Sequence, residues 1–339
     1  MQIFDPLYNS IPKIELHCHL EGSIRTQTIL DIARQYNLSL PYYDFAELDM
    51  HVKVRDQMHD LQAVLDAFAI FQNSLASVEV IERITYELCE DSHRQNIHLL
   101  EIRFSPDWAF SGHHLDWDLA LEAIQRAQQR ARVDFNLFTV LIAISSRSLG
   151  LSSCQKTVDW TISHKDAILG MDLADDERSH PIYEFIQPVL KARASGLKVT
   201  VHSGEDTPAL AVIETIKAVQ PDRIGHGIHI IEDLHAVDFV KQHGVTLEVN
   251  PWSNYLTNSV SQIELHPLKQ LFDLGVLVTI NSDDPEILNT NLNNEYRIAH
   301  KVLGLSLTDL TTCNRFALNA SFLPENQKEQ LRLAFPQWR

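Results

Sequence analysis

Short, mostly apolar and β-branched runs recur along the chain, separated by longer stretches of helical period. Eight stand out: Lys13–His19, Leu99–Phe104, Phe138–Ile144, Ala167–Leu173, Leu197–His202, Arg223–Ile228, Thr246–Asn250 and Leu277–Asn281. A run that is apolar on both faces suits a strand covered on both sides, as in a parallel sheet. Between most of the runs the period lengthens to that of an amphipathic helix, as in Leu119–Arg132 and Pro208–Val219. The alternation predicts an α/β chain, a (β/α)₈ TIM-type barrel, with a doubly wound open sheet as the alternative. Residues 23–96 are too many for one crossover helix and read as a helical elaboration after the first strand. No Ser/Gly linker, low-complexity tract or short repeat marks a boundary, so residues 1–339 read as one domain.

Composition narrows the function. Hydrophobic residues are 45% and charged ones 22%, a globular mix with ample material for a core. Lys plus Arg is 28 and Asp plus Glu 45, a formal charge of −17, which repels phosphate backbones and anionic lipid. Nucleic acid and membrane surface are therefore not the expected partners; a small molecule is. The four cysteines, Cys18, Cys89, Cys154 and Cys313, are scattered and form no CxxC, which fits a reducing compartment. With no basic and apolar leader at residues 1–20 and no stretch of about twenty apolar residues, the expected location is the cytoplasm.

The 17 histidines change the picture, because imidazole is the commonest metal ligand. His17 and His19, His202, His226 and the Asp283–Asp284 pair all stand at or near the C-terminal ends of the runs, which share one face in a parallel barrel. His17-Cys18-His19 on a strand puts both imidazoles on one side, with Cys18 turned away as a small buried filler. With His202 and Asp283 this makes a three-His, one-carboxylate set suited to Zn²⁺ or another first-row metal. Glu205, three residues after His202, is either a general acid/base with an elevated pKa or a carboxylate at a helix N-terminus, a place Asp206 suits equally. His226, between glycines, is either part of the site or a satisfied buried histidine. Asp284 adjoins Asp283, so the two side chains should diverge; followed by Pro285, the pair also suits a helix N-cap.

Other chemistries find no motif. The phosphate-cradling G-x-x-x-x-G-K-[ST] and G-x-G-x-x-G, the helical H-E-x-x-H and the H-x-E…P-C-x-x-C of cytidine-type deaminases are all absent. What remains is metal-assisted hydrolysis with a nearby acid, suited to an electrophile that must be protonated as it is attacked.

Six segments, in this order and spacing, resemble the adenosine deaminase family: His17-Cys-His-Leu-Glu-Gly22, Asp172-Leu-Ala-Asp-Asp-Glu177, His202-Ser-Gly-Glu205, Arg223-Ile-Gly-His-Gly227, Pro251-Trp-Ser-Asn-Tyr-Leu-Thr257 and Asn281-Ser-Asp-Asp-Pro285. The resemblance implies a metal-dependent barrel that hydrolyses a 6-aminopurine, with one Zn²⁺ per chain. His17, His19, His202 and Asp283 would bind the metal. Glu205 would protonate purine N1, and His226 would orient the attacking water and assist its deprotonation, with Asp283 in contact with it. Asp284 would bond N7, and His19, Glu21 and Asp175 would line the substrate.

The expected substrate is adenosine with 2′-deoxyadenosine; adenine or a 5′- or N6-modified adenosine are the alternatives, and a catalytically silent ligand-binding barrel is the alternative of a different class. The departures concern substrate. Leu-Glu21-Gly resembles the free-base enzymes, whereas Gly225 and Pro251-Trp-Ser resemble the nucleoside enzymes. Asp175 stands where the family usually has Gly, and Asn250 where it has Cys. Leu61, Val64, Leu65 and Phe68 form an i, i+3, i+4, i+7 stripe, a core-packing face that by resemblance would also be an apolar lid.

Overall fold

The computed structural model describes residues 5–58 and 68–339. It contains eight parallel strands in sequential order: β1 (Lys13–His19), β2 (Ile97–Phe104), β3 (Phe138–Ser146), β4 (Gly170–Ala174), β5 (Lys198–Ser203), β6 (Arg223–His226), β7 (Thr246–Val249) and β8 (Val278–Ile280). Helices lie between them, so the architecture is the (β/α)₈ barrel, and the doubly wound alternative is excluded by the order. Closure is made just past β8. There Asp283 N–H donates to His17 O at 3.0 Å and His19 N–H to Asp283 O at 2.8 Å. Side chains extend the seam: Leu16 N–H donates to Asn281 Oδ1 at 3.1 Å, and Ser282 Oγ to Glu15 Oε2 at 2.9 Å.

The apolar runs sit where the pattern puts them, with shifted ends. β6 stops at His226 rather than Ile228 because Gly227 takes φ +68°, a left-handed turn. β4 begins at Gly170 because Ala167 and Ile168 close a turn on the carbonyl of His164. The elaboration after β1 includes the helices Thr26–Tyr36, Phe45–Val52 and Val78–Arg94. Three of the four stripe residues, Leu61, Val64 and Leu65, lie outside the described residues; Phe68 packs on the main apolar cluster.

One property of the strands was hidden by their apolar look. On β2, Leu100, Ile102 and Phe104 face the apolar layer under the helices, while Glu101 and Arg103 point into the lumen with no exposed surface. The lumen is an ion network. Arg103 donates to Asp172 Oδ2 at 2.6 Å and Glu248 Oε2 at 2.7 Å, and Arg223 donates to Glu101 Oε2 at 2.6 Å and to Glu248 Oε1. Buried charges persist only when paired in this way. Below it Phe322 and Trp338 of the C-terminal segment, with Ile14, Leu99 and Phe138, form the barrel floor. Among the described residues no helix is long and apolar enough to cross a membrane, and all four cysteines are free and buried.

Candidate active site

Backbone pairing places the first components. His17 and His19 end β1, and Asp283 is stitched between them by the two closing hydrogen bonds. A φ of +65° at Asp283 swings its carboxylate inward, so that Oδ1 lies 3.1 Å from Nε2 of both histidines. His202, at the end of β5, brings its ring centroid to 4.7 Å from that of His17 and 5.8 Å from that of His19. His17, His202, His226 and Asp283 offer ligand atoms all within 4.8 Å of one another, as do His19, Asp283 and Asp284, with Asp283 common to both groups. Cys18 turns away toward Ser23, as the alternation requires.

The donor chemistry fits a metal ion. His17 Nδ1–H donates to Glu248 Oε2 at 2.8 Å, and His202 Nδ1–H donates to Asp172 Oδ1 at 3.1 Å. Each imidazole thus aims an Nε2 lone pair into the cluster, and Nε2 of His17 is buried with no hydrogen-bond partner among the described residues. A histidine backed by a carboxylate on its far nitrogen is the usual arrangement of a metal ligand. Arg103 ties the two backing carboxylates together. Burial works against their charges, yet Arg103 and Arg223 hold Glu248 well below the usual carboxylate range. Asp283 is likewise held low despite burial, by His17, His19 and His226.

Glu205 reaches the same centre from the loop after β5, where Gly204 turns at φ +73°. One carboxylate anchors that loop: Glu177 accepts from the N–H of Gly204 (2.9 Å), Glu205 (2.9 Å) and Asp206 (3.0 Å), and from Thr207 Oγ1 (2.7 Å). Glu205 Oε2 lies 3.5 Å from His226 Nε2, and Oε1 accepts from Thr257 Oγ1 at 3.1 Å. Burial first, then the nearby Asp283 and Glu177 carboxylates, raise its pKa well above the ordinary value. That direction suits a general acid more than a helix-capping anion. His226, at φ +60°, sits 3.8 Å from Asp283 Oδ2, which also accepts from Ser253 Oγ at 2.7 Å. Its ring therefore lies among the clustered carboxylates and histidines rather than apart from them in the core.

Asp284 and Asp283 diverge less than adjacency suggests, since both carboxylates reach His19. Burial, only partly offset by His19, pushes Asp284 up to about 7. Gly22 makes room for it: a Cβ at that position would lie 1.8 Å from Asp284 Oδ1. Asp175 takes φ +81°, the conformation a glycine would adopt freely, and its carboxylate turns outward, accepting from Ser146 Oγ at 2.5 Å and from Ser148 Oγ. Glu21 is buried; Oε1 accepts from Ser105 N–H at 2.7 Å, and Oε2 has no partner among the described residues.

Several contributors were not singled out from the sequence. Arg103, Glu101 and Glu248 carried a signal, since a charge inside a short apolar run has to be paired. Asn254 and His266, which lie behind His226, carried none.

A sequence profile described as adenosine deaminase matches residues 12–336. An adenosine deaminase of Erwinia tasmaniensis is 35% identical over 324 residues, 96% of this chain and 98% of that protein. Among solved structures, adenine deaminase from Arthrobacter aurescens superposes with a TM-score of 0.89 at 27% identity, covering 96% of this chain and 98% of its own. The N6-methyl-AMP deaminase of Arabidopsis thaliana gives 0.84 at 27%, covering 97% of each. A barrel whose strand ends gather four histidines, an aspartate and a glutamate of raised pKa is thus matched along nearly its whole length by deaminases, and the chain belongs to the adenosine deaminase family.

Proposed function

We propose that this enzyme deaminates adenosine and 2′-deoxyadenosine to the 6-oxo nucleosides and ammonia, using one Zn²⁺ held by His17, His19, His202 and Asp283. The observation that carries the reading is the convergence of Glu205, His226 and Asp283 on one point, with the pKa of Glu205 raised. When bound, the metal supplies electrostatic activation of a water at near-neutral pH. Glu205 gives its proton to purine N1 as a C6–O bond forms, which makes C6 electrophilic without leaving a ring anion. His226 and Asp283 hold the water on the opposite side, and the Asp283 carboxylate takes the proton that the water loses as it adds. The hydroxyl proton then passes to the amino nitrogen, the C6–N bond breaks, and ammonia leaves.

Asp284 accepts from or donates to N7, a pairing its perturbed pKa allows, and His19 lies against the same edge of the ring. With its carboxylate held by Ser146 and Ser148, Asp175 keeps its backbone N–H available for N3. Glu21, Asp175, Asp206 and Asp284 make the surroundings acidic, and Arg178 nearby is paired with Asp206 at 2.9 Å. That favours an uncharged nucleoside over a nucleotide. The overall charge of −17 similarly disfavours nucleic acid, and four free buried thiols suit the cytoplasm. We read the whole chain as one domain.

A second reading, adenine, is favoured by the buried Oε2 of Glu21, which has no partner among the described residues and is an acceptor suited to a ring N–H as much as to a sugar hydroxyl. The deciding experiment is ammonia release from adenosine, 2′-deoxyadenosine, adenine and 5′- or N6-modified adenosines by zinc-loaded protein. Adenosine at or above ~10⁴ M⁻¹s⁻¹ in kcat/KM is the expected result. Adenine exceeding it tenfold would replace the substrate assignment. In the Glu205→Gln variant, metal content should persist while kcat falls at least ~10²-fold; retained turnover would remove the acid.

A further inference from the structure

The hydrogen bonds behind the clustered histidines do not all run the same way. His17 and His202 each donate Nδ1–H to a carboxylate, which leaves Nε2 as a lone pair. His226 has amides behind it instead. Their direction can be traced from a donor that cannot change: the backbone N–H of Leu268 lies 3.1 Å from Nδ1 of His266. That nitrogen accepts, so the proton of neutral His266 is on Nε2, and burial, which drives its pKa down to about 3, keeps the ring neutral. Nε2–H points at the Asn254 side chain at 3.2 Å, so the amide presents oxygen there. The other half of the amide, NH₂, then faces His226 Nδ1 at 2.9 Å.

Asn250 does not select between the tautomers: its amide nitrogen donates to the carbonyl of Glu248 at 3.3 Å and lies 3.3 Å from Nδ1 and 3.5 Å from Nε2 of His226. Asn250 and Asn254 have no exposed surface, His226 has 1% and His266 4%, so water does not compete for these groups.

We propose that Asn254 and His266 are positioning residues that hold His226 as the Nε2–H tautomer, so that it serves the site as a hydrogen-bond donor. A nitrogen that carries a proton has no lone pair for a metal. The relay therefore keeps His226 out of the ligand set although it lies as close as His17 and His202. It also means that His226 steadies the oxygen of the attacking water and does not take its proton. The proton goes to the Asp283 carboxylate, Glu205 supplies the one for N1, and the charges balance across the addition. The catalytic consequence rests on the deaminase reading above; the tautomer does not.

The test is long-range proton–nitrogen correlation on protein labelled with ¹⁵N-histidine, metal-free and zinc-loaded. His226 should show a bare Nδ1 and a protonated Nε2 in both states; a protonated Nδ1, or a metal-shifted Nε2, would overturn the proposal. Asn254→Asp offers only acceptors, so Nδ1 should take the proton. With the wrong tautomer kcat should fall by up to ~10⁴-fold, with KM within threefold and zinc content unchanged. Loss of turnover with the Nε2–H signature intact would refute the assigned role of Asn254. His266→Leu frees the amide to rotate and should lower kcat about tenfold or more, and His266→Gln, which can still donate to Oδ1, should recover most of it. If wild-type protein shows the Nε2–H signature yet deaminates no aminopurine, the functional reading falls and the relay stands.

Discussion

The substitution Asp172→Asn changes one oxygen to an NH₂ group at the point where the metal cluster joins the lumen. Oδ2 of Asp172 accepts from Arg103 Nη1 at 2.6 Å, and Oδ1 accepts from His202 Nδ1 at 3.1 Å. An amide has one acceptor oxygen, so the new side chain must point NH₂ at one of two donors. Facing His202, it would drive the ring to the tautomer with a proton on Nε2 and abolish the lone pair aimed at the cluster. Facing Arg103, it would set two donors together and leave that guanidinium with Glu248 as its one carboxylate partner, which Arg223 also uses.

The metal cost follows from the lost support of a ligand, a 10–100-fold weakening, about 1.4–2.7 kcal/mol. Breaking one side of a buried ion pair costs about 3–5 kcal/mol, and the retained hydrogen bond puts this case near the low end. Unfolding entropy near 2.1 cal/mol/K per residue makes 3 kcal/mol about 4 °C in Tm for a chain this long. Burial opposes ionisation of Asp172, but His202 and Arg103 hold its carboxyl well below the usual range. Its contribution is therefore present above the unfolded value of about 3.9 and lost as pH falls, so the Tm gap should narrow in acid. Competition against a chelating dye gives the metal affinity, and scanning calorimetry of metal-free protein gives the stability. Affinity within threefold of wild type, or a Tm gap unchanged between pH 5 and pH 2, would refute the argument.

The loop that carries Glu205 offers a second test. Glu177→Gln leaves one oxygen for four donors, which should cost about 1–3 kcal/mol in stability. By misplacing the acid it should lower kcat ~10²-fold, read by steady-state kinetics beside a thermal melt. Gly22→Ala should keep the metal but displace Asp284, raising KM and lowering kcat at least tenfold, because the new Cβ overlaps Oδ1; unchanged kinetics would mean that Asp284 does not touch substrate. Burial pushes Glu295 up to about 8, above the unfolded value, so its share of stability is full in acid and is lost as pH rises toward that value. Glu295→Gln keeps acceptance from Trp252 N–H and removes the ionisation, so its Tm should fall less than that of wild type between pH 6 and pH 9.

The strand pattern and the residues at the strand ends were legible because both depend on local chemistry. Buried strands need apolar, β-branched runs, and His17-Cys-His19 alternates across a strand whatever the chain does elsewhere. From these and from the neighbouring motifs the barrel could be read in one dimension, and so could which residues to propose as metal ligands and acid. The direction of a side chain and the identity of a partner from a distant strand could not. Asp175 reads as an obstacle in the purine pocket until Ser146 and Ser148 are seen to draw its carboxylate outward. Asn254, in the short helix Pro251–Leu256, and His266 look ordinary until closure of the barrel brings them behind His226. Glu248 is an odd charge in an apolar strand until Arg103, Arg223 and His17 gather on it. Periodicity is a property of neighbours along the chain, whereas a hydrogen bond's direction and a carboxylate's pKa depend on groups that meet only when eight strands take one register. The sequence determined which chemistry was available; the tertiary structure decided which nitrogen holds a proton and which faces the metal site as a lone pair.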